Sequence, residues 1–293
     1  MNKIGLVGRG FVGDAILQGM VHAFDIIWCD PCDKEWSYRS ANITRMSLDN
    51  LVKSVDGPIF LCLPTPMKKD GSADISIIEG VVKEINELCD EQKVLVIKST
   101  VPPGTTEAFN ARYDNIRCVF NPEFLTERAA VEDFKNQDRI IIGGPHIAVS
   151  IVKQMYQTAY PQVSTTKTSS TIAEMVKYNT NCFLATKVAY ANEIYQICDG
   201  LGIDYDKVVE YSAKDKRLGT SHWAVPGPMP ASDGSGKLLP GYSGSCFVKD
   251  INALMHLAKE LGVDPKVMRG GWEKNLEVRP EKDWENLKGR AVS

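Results

Sequence analysis

The sequence predicts an α/β fold in which a doubly wound parallel sheet is followed by an all-helical central domain, and three observations predict it. Short β-branched runs alternate with amphipathic segments through the first half, the pattern of strand-helix-strand units. The cluster Gly8-Arg9-Gly10-Phe11-Val12-Gly13 directly follows the first of those runs, which makes the sheet Rossmann-type. Past residue 168 the strand pattern stops and helical periodicity takes over. At roughly 100–200 residues per domain, 293 residues accommodate two domains with a core each. The expected boundaries are 1–168 for the sheet domain, 169–279 for the helical domain and 280–293 for a short C-terminal tail.

Taken in chain order, the strands fall at 3–7, 25–28, 59–63, 94–98, 117–120 and 139–142, and six strands complete a doubly wound sheet. The clearest helices between them are 11–21, 74–89 and 147–156. Ser169-Ser170-Thr171 offers an N-cap for a helix reaching Gly200, well beyond the ~11–12 residues of an average helix. A second helix follows at 205–212. Residues 218–244 are rich in Gly, Pro and Ser and too long for a plain connector, so they form either a disordered segment or a functional loop. A third helix starts near Cys246 and ends at Leu261-Gly262, and Pro265 opens a fourth that reaches Leu276.

Charge removes several classes of function. With 34 basic and 37 acidic side chains, a net charge of −3 and no Lys/Arg block, the chain has no footprint for a phosphate backbone, so nucleic acid is not expected as a partner. No apolar run approaches the ~20 residues of a membrane span, and Met1-Asn2-Lys3 leads straight into a strand, so no membrane partner and a cytoplasmic location are expected. Eight scattered cysteines then read as reduced thiols, most of them small core hydrophobes. Cys29-Asp30-Pro31-Cys32 has no second pair to complete a zinc site, and no metal is expected.

The glycine fingerprint opens a helix directly after a strand, the context in which it holds a dinucleotide. Gly8 allows the tight turn, Gly10 lets a pyrophosphate approach the backbone, and Gly13 lets helix and strand pack closely. The helix N-terminus adds unpaired N–H groups and partial positive charge. Asp30 ends the second strand, placed to accept hydrogen bonds from an adenosine ribose, and its charge favours NAD over NADP. Thr65, in Cys62-Leu63-Pro64-Thr65-Pro66, and Thr100, in Ser99-Thr100-Val101-Pro102, lie at carboxyl ends of strands, where such sheets bind ligands.

Three further clusters carry chemistry. Asn121-Pro122-Glu123-Phe124-Leu125-Thr126-Glu127 places two carboxylates at i and i+4; on a helix they would share a face, and a partly desolvated glutamate can act as a general base. Lys177 and Asn181, also at i and i+4, project from one face of the long helix and can polarise a substrate oxygen. In Gly241-Tyr242-Ser243-Gly244-Ser245-Cys246-Phe247-Val248-Lys249-Asp250, a glycine-rich approach delivers Cys246 to the start of a helix, where the dipole favours the nucleophilic thiolate. Asp250 follows one turn later on the same face.

In their order along the chain, the fingerprint, the Ser99–Pro102 turn, the Asn121–Leu125 segment, the Lys177/Asn181 helix and the Gly241–Asp250 motif resemble the UDP-glucose/GDP-mannose dehydrogenase family over residues 1–279. The resemblance implies an NAD-dependent nucleotide-sugar 6-dehydrogenase that oxidises a sugar C6 alcohol to the carboxylate in two successive oxidations, UDP-glucose to UDP-glucuronate being the leading reaction. It implies that Lys177 stabilises the alkoxide-like oxygen, that Asp250 and Thr100 hold the water taking the proton, and that Cys246 attacks the aldehyde. Glu123 would be the base that hydrolyses the resulting thioester, and Asn181 would help hold the oxyanion. The cofactor contacts it implies add Phe11, Val12, Glu127 and Lys249 to Gly8, Gly10, Gly13, Asp30, Thr65 and Thr100. The substrate contacts are Glu123, Phe124, Leu125, Lys177, Asn181, Tyr242 and Gly244, with Arg217 reaching across a homodimer interface. Family members carry a third, C-terminal domain that 293 residues do not accommodate, so a form lacking it is expected. Two other readings stand beside this one: a two-electron β-hydroxyacid-type dehydrogenase, which leaves Cys246 unexplained, and a non-catalytic NAD-binding module.

Overall fold

The computed structural model describes residues 1–32 and 36–293. The chain forms two compact units: residues 1–65 with 75–177, and residues 66–74 with 178–293. The division falls inside the long helix, because the first turns of that helix pack on the sheet, as Ala173 does, while its later turns carry the helical core.

The first unit is built on eight strands, β1 Lys3–Val7, β2 Asp25–Cys29, β3 Ile43–Arg45, β4 Ile59–Leu61, β5 Lys93–Ile97, β6 Ile116–Phe120, β7 Arg139–Gly143 and β8 Ser164–Thr168, in the order β3-β2-β1-β4-β5-β6-β7-β8. Its helices are α1 Phe11–Met20, α2 Leu48–Ser54, α3 Ser76–Leu88, α4 Thr105–Arg112, α5 Ala130–Lys135 and α6 His146–Ala159, followed by the start of α7, Ser170–Leu201. Side chains alternate across the sheet as the strand period requires. Ile4, Leu6, Phe60, Val96 and Val119 enter the core beneath α1, α5 and α6, whereas Val7, Leu61, Leu95, Ile97 and Phe120 enter the core beneath α2, α3 and α4.

The six expected strands are present, and the structure adds two. β3 has only three residues, and β8, the polar run Ser-Thr-Thr-Lys-Thr, lies at a sheet edge with three of its five residues exposed, so neither carries the apolar pattern of a central strand. The sheet is not uniformly parallel: β7 meets β6 antiparallel, through the single register pair Phe120↔Gly143. The short helices α2, α4 and α5 were likewise not expected.

The second unit contains the later turns of α7, then α8 Tyr205–Ser212, α9 Phe247–Glu260 and α10 Lys266–Val278. Its core joins Tyr178, Cys182, Ala185 and Val188 of α7 to Tyr242, Val248, Ile251 and Trp284. The segment 218–244 is ordered by specific bonds. The Tyr205 hydroxyl donates to Trp223 O at 2.6 Å, the Trp223 indole donates to Gly219 O at 2.9 Å, and the Lys187 ammonium sits 4.6 Å from the Trp223 ring centroid. Residues 280–293 pack into the same unit: Arg279 and Asp283 form a buried ion pair at 2.6 Å, and Met67 bridges to Val292. Among the described residues, no helix is long and apolar enough to cross a membrane.

Candidate active site

In the first unit the fingerprint has the expected form. Gly8 has φ +88°, and a Cβ there would lie 2.4 Å from Cys62 O; one at Gly13 would lie 2.1 Å from Gly8 O. Gly10 is the N-cap of α1, and a Cβ there would meet nothing within 4 Å, so open space lies over the turn where a pyrophosphate would approach. Asp30 follows β2, and its carboxylate accepts from Arg9 N at 2.6 Å and from Cys32 N at 2.7 Å. Arg9 itself is buried, ion-paired to Asp14 at 2.9 Å and stacked between Trp28 and Trp36 at 4.7 and 4.6 Å. These residues fit a dinucleotide bound across the sheet's carboxyl edge.

At the ends of β4 and β5, Thr65 donates to Thr100 O at 2.8 Å, and Leu63 N donates to the Ser99 hydroxyl at 2.9 Å. Both threonines are buried.

After β6, residues 121–126 are not helical; a 3-10 turn, Glu127–Ala129, comes only afterwards. The condition for Glu123 and Glu127 to share a helix face is therefore not met: Glu123 is buried and Glu127 is exposed. Asn121-Pro122 leaves the strand with the Asn121 side chain bonded inward, which turns the following residues away from a regular helix. The partner of Glu123 is Lys177 of α7, whose ammonium donates to Glu123 Oε1 at 2.8 Å and to Glu123 O at 2.6 Å. Burial would raise the Glu123 carboxyl, but the charge and hydrogen bond of Lys177, the Leu125 N–H at 2.7 Å and the charge of Lys98 outweigh it and hold the group below its ordinary range. The Arg139 guanidinium and the Lys177 ammonium both lie over the Phe124 ring, at 4.5 and 5.6 Å from its centroid.

In the second unit, Cys246 is the N-cap of α9, half-buried, with its sulfur 3.9 Å from the Ser245 hydroxyl. Asp250, one turn on, is buried; its carboxylate accepts from Asn181 Nδ2 at 2.6 Å and from Lys249 Nζ at 2.5 Å. The approach to Cys246 is fixed from below by two buried asparagines. Asn275 accepts from Tyr242 N at 2.7 Å and donates to Tyr242 O at 3.1 Å, while Asn192 accepts from Gly241 N at 3.1 Å. Gly241 has φ +70°, and a Cβ there would lie 2.5 Å from Asn275 Oδ1. Tyr242 is buried among Phe247 and Trp272, Gly244 has φ +74°, and Arg217 is exposed and paired with Asp215 at 2.5 Å.

Cys89, Cys118, Cys182 and Cys198 are buried free thiols, whereas Cys29 and Cys62 are half-buried and Cys32 is exposed, so core packing does not describe all seven thiols other than Cys246. Among the described residues, no group of three or more His, Cys, Asp or Glu could hold a metal ion. Lys98, Asn192 and Asn275 are not among the residues expected from the sequence. Lys98 carries a local signal, a lysine at the end of a buried parallel strand, whereas the asparagines are recognisable only through their partners.

Residues 40–160 match the model of the UDP-glucose/GDP-mannose dehydrogenase family, NAD binding domain, and residues 171–277 match that of the family's central domain. The chain is 36% identical to UDP-glucose 6-dehydrogenase TuaD of Bacillus subtilis, over 95% of this chain and 64% of that protein. It is 34% identical to UDP-glucose 6-dehydrogenase of Pseudomonas aeruginosa, over 72% of this chain and 46% of that protein. A UDP-glucose dehydrogenase structure from the archaeon Pyrobaculum islandicum superposes with a TM-score of 0.83 at 27% identity, covering 96% of this chain and 69% of that one. The chain thus spans only about half to two thirds of the length of these curated relatives. With an NAD-binding domain and a central domain in the family's order, the chain belongs to the UDP-glucose/GDP-mannose dehydrogenase family.

Proposed function

We propose that this protein is an NAD-dependent nucleotide-sugar 6-dehydrogenase that oxidises the sugar C6 alcohol to a carboxylate, with UDP-glucose as substrate and UDP-glucuronate as product. The observation that carries the reading is Cys246 at the N-cap of α9, one turn before a buried Asp250 that Asn181 and Lys249 hold in place. An enzyme that stops at the aldehyde has no use for a nucleophile; one that continues to the acid must convert the aldehyde into a tetrahedral adduct able to lose hydride. The names of the relatives supply the substrate class.

The roles divide by unit. In the first, the Lys177 ammonium stabilises the C6 oxygen as its proton leaves, Thr100 helps orient the water that receives the proton, and Glu123 later takes a proton from the hydrolytic water. In the second, Asp250 holds that first water, Cys246 adds its sulfur to the aldehyde carbon, and Asn181 steadies the oxyanion. Loss of a second hydride from the adduct leaves a thioester on Cys246; water then adds to its carbonyl, the C–S bond breaks and the thiolate returns. NAD, when bound at Gly8, Gly10, Gly13 and Asp30 with Phe11, Val12, Thr65, Glu127 and Lys249 alongside, supplies hydride acceptance in both oxidations.

The test is stoichiometry. Oxidation to the acid yields about two NADH per UDP-glucose. Cys246→Ala abolishes acid formation; full turnover by that variant, with one NADH and a stable aldehyde or ketone, would instead support a two-electron β-hydroxyacid-type enzyme.

A homodimer fits the same reading. Phe183, Tyr190, Ile197 and Leu201 lie exposed at spacings of seven, seven and four residues, one apolar stripe along α7. The exposed Arg217 would serve the neighbouring copy's substrate. Light scattering is expected to give twice the 32.4 kDa chain mass, and a monomer at micromolar concentration would exclude it.

A further inference from the structure

Glu123 has more positive charge around it than one carboxylate needs. Lys177 already pairs with it, yet Lys98, directly after β5, is buried in the same place. The Lys98 ammonium donates to Asn121 Oδ1 at 3.0 Å and to Pro122 O at 3.4 Å, the two residues that lead into Glu123. Asn121 is fixed in turn by the Tyr156 hydroxyl of α6 at 2.6 Å, by its own donation to Ile141 O of β7 at 2.7 Å, and by its backbone N–H to Ile97 O at 2.9 Å. The cluster thus holds two lysines and one carboxylate. Burying an ammonium without a carboxylate of its own is costly, and a methionine would fill the same space without that cost.

We infer that Lys98 is a positioning residue for the base Glu123: it clamps the Asn121-Pro122 turn and remains as standing counter-charge when the Lys177 ammonium engages a substrate oxygen. This rests on the role given to Glu123 above. Without Lys98, an oxyanion on Lys177 would leave the Glu123 carboxylate unbalanced in a buried site and drive it to take up a proton. The step affected is therefore thioester hydrolysis, in which water adds its oxygen to the carbonyl carbon, Glu123 takes the proton and the C–S bond breaks to release the Cys246 thiolate. The two preceding oxidations do not use Glu123 as a base.

The titration of the cluster fits. Burial lowers the Lys98 ammonium to about 8, against the raising influence of Cys62 and Glu123 and with Lys177 also lowering it. The groups facing it are Cys62 after β4, pushed by burial up to about 12 and so neutral, the Tyr156 hydroxyl of α6, which burial raises, Glu123 and Lys177. Below about pH 8 the clamp carries its charge, and above it the charge is lost.

The experiment compares wild type with Lys98→Met, Lys98→Arg and Glu123→Gln, using UDP-glucose and NAD. Rapid mixing reads the NADH burst, acid quench with mass spectrometry reads the acyl group on Cys246, and steady-state kcat is followed from pH 6 to 10. In Lys98→Met the burst of about two NADH per site persists, kcat falls on the order of 100-fold, and the acyl adduct accumulates. Lys98→Arg recovers to within about tenfold of wild type, and its rate lacks the wild-type decline above about pH 8. Burst and steady state falling together in Lys98→Met, or a lowered Tm with kcat unchanged, would overturn the inference. If Lys98→Met does not fold, an unaltered alkaline decline in Lys98→Arg overturns it alone. Acyl accumulation in Glu123→Gln but not in Lys98→Met also overturns it, whereas accumulation in neither means that the role given to Glu123 has failed.

Discussion

Gly10 and Gly13 stand three residues apart in one turn, and the structure separates what each does. A methyl group at Gly13 would press on the Gly8 carbonyl, so Gly13→Ala is expected to destabilise the ligand-free protein by about 1–3 kcal/mol, measured as a fall in Tm. A methyl group at Gly10 meets no protein atom, so Gly10→Ala keeps its Tm but weakens NAD by at least about tenfold in calorimetry, roughly 1.4 kcal/mol, because it occupies the place of the pyrophosphate. Equal effects of the two variants on ligand-free stability would contradict this division. At this scale, placements that follow from chain-local geometry were readable: the tight turn at Gly8, Asp30 just past a strand end, and Cys246 at a helix start. Glu123 was readable as a carboxylate near a strand end, but its partner was not, because Lys177 lies 54 residues away and reaches it only through the tertiary fold. The i and i+4 spacing of Glu123 and Glu127 would have placed them on one face only in a helix, and a long-range ion pair decides the placement of Glu123 instead.

Among the elements, α10 and the residues after it have the least obvious task. Asn275 of α10 holds both sides of the Tyr242 peptide, and Arg279 donates to Leu239 O and Pro240 O while pairing with Asp283. Asp283 also accepts from Ser232 N and from the Ser243 hydroxyl, so one carboxylate ties the loop 218–244 to the end of the helix. Asn275→Leu orphans buried backbone groups next to the Cys246 approach and is expected to cost about 1–3 kcal/mol for each such group, readable in denaturant unfolding. The pH sign follows from Asp283. Burial raises its carboxyl, but the Arg279, Ser232 and Ser243 bonds outweigh it and bring it down to about 2. Its folded value lies below the unfolded one, so its stabilisation is complete above about pH 4 and is lost as pH falls through about 2. The Asp283→Asn protein should lose that acid-dependent part of its unfolding curve, and an unchanged curve would contradict the assignment. The strong elements were legible because burial imposes a period on them, as in β1, β4 and α7. β3, β8, α2, α4 and α5 were not, being short or at an edge, where pairing rather than composition defines them.

For the whole molecule, the alternation of strands and helices followed by helices alone was enough to place an NAD-binding unit before a helical one, and that order is present. The excursion 66–74 was not legible. It leaves the sheet unit between β4 and α3 and joins the helical unit, where Met67 N donates to Ala291 O at 2.9 Å and Ser293 N donates to Met67 O at 2.9 Å. No periodicity within nine residues could announce a partner more than two hundred positions away.

The single antiparallel register pair between β6 and β7 also bears on motion. Among the described residues, only the register pair Phe120↔Gly143 ties β7 and β8 to the other six strands through the backbone, while five register pairs bind β7 to β8. Beyond that pair, β7 and α6 are held by side-chain packing of Ile140, Ile142, Val149 and Val152 and by Asn121, which donates to Ile141 O of β7 and accepts from the Tyr156 hydroxyl of α6. Sub-global opening therefore has a natural seam at that joint. Amide protons of β7 and β8 are expected to exchange as one cooperative group, earlier than those of β1, β4 and β5.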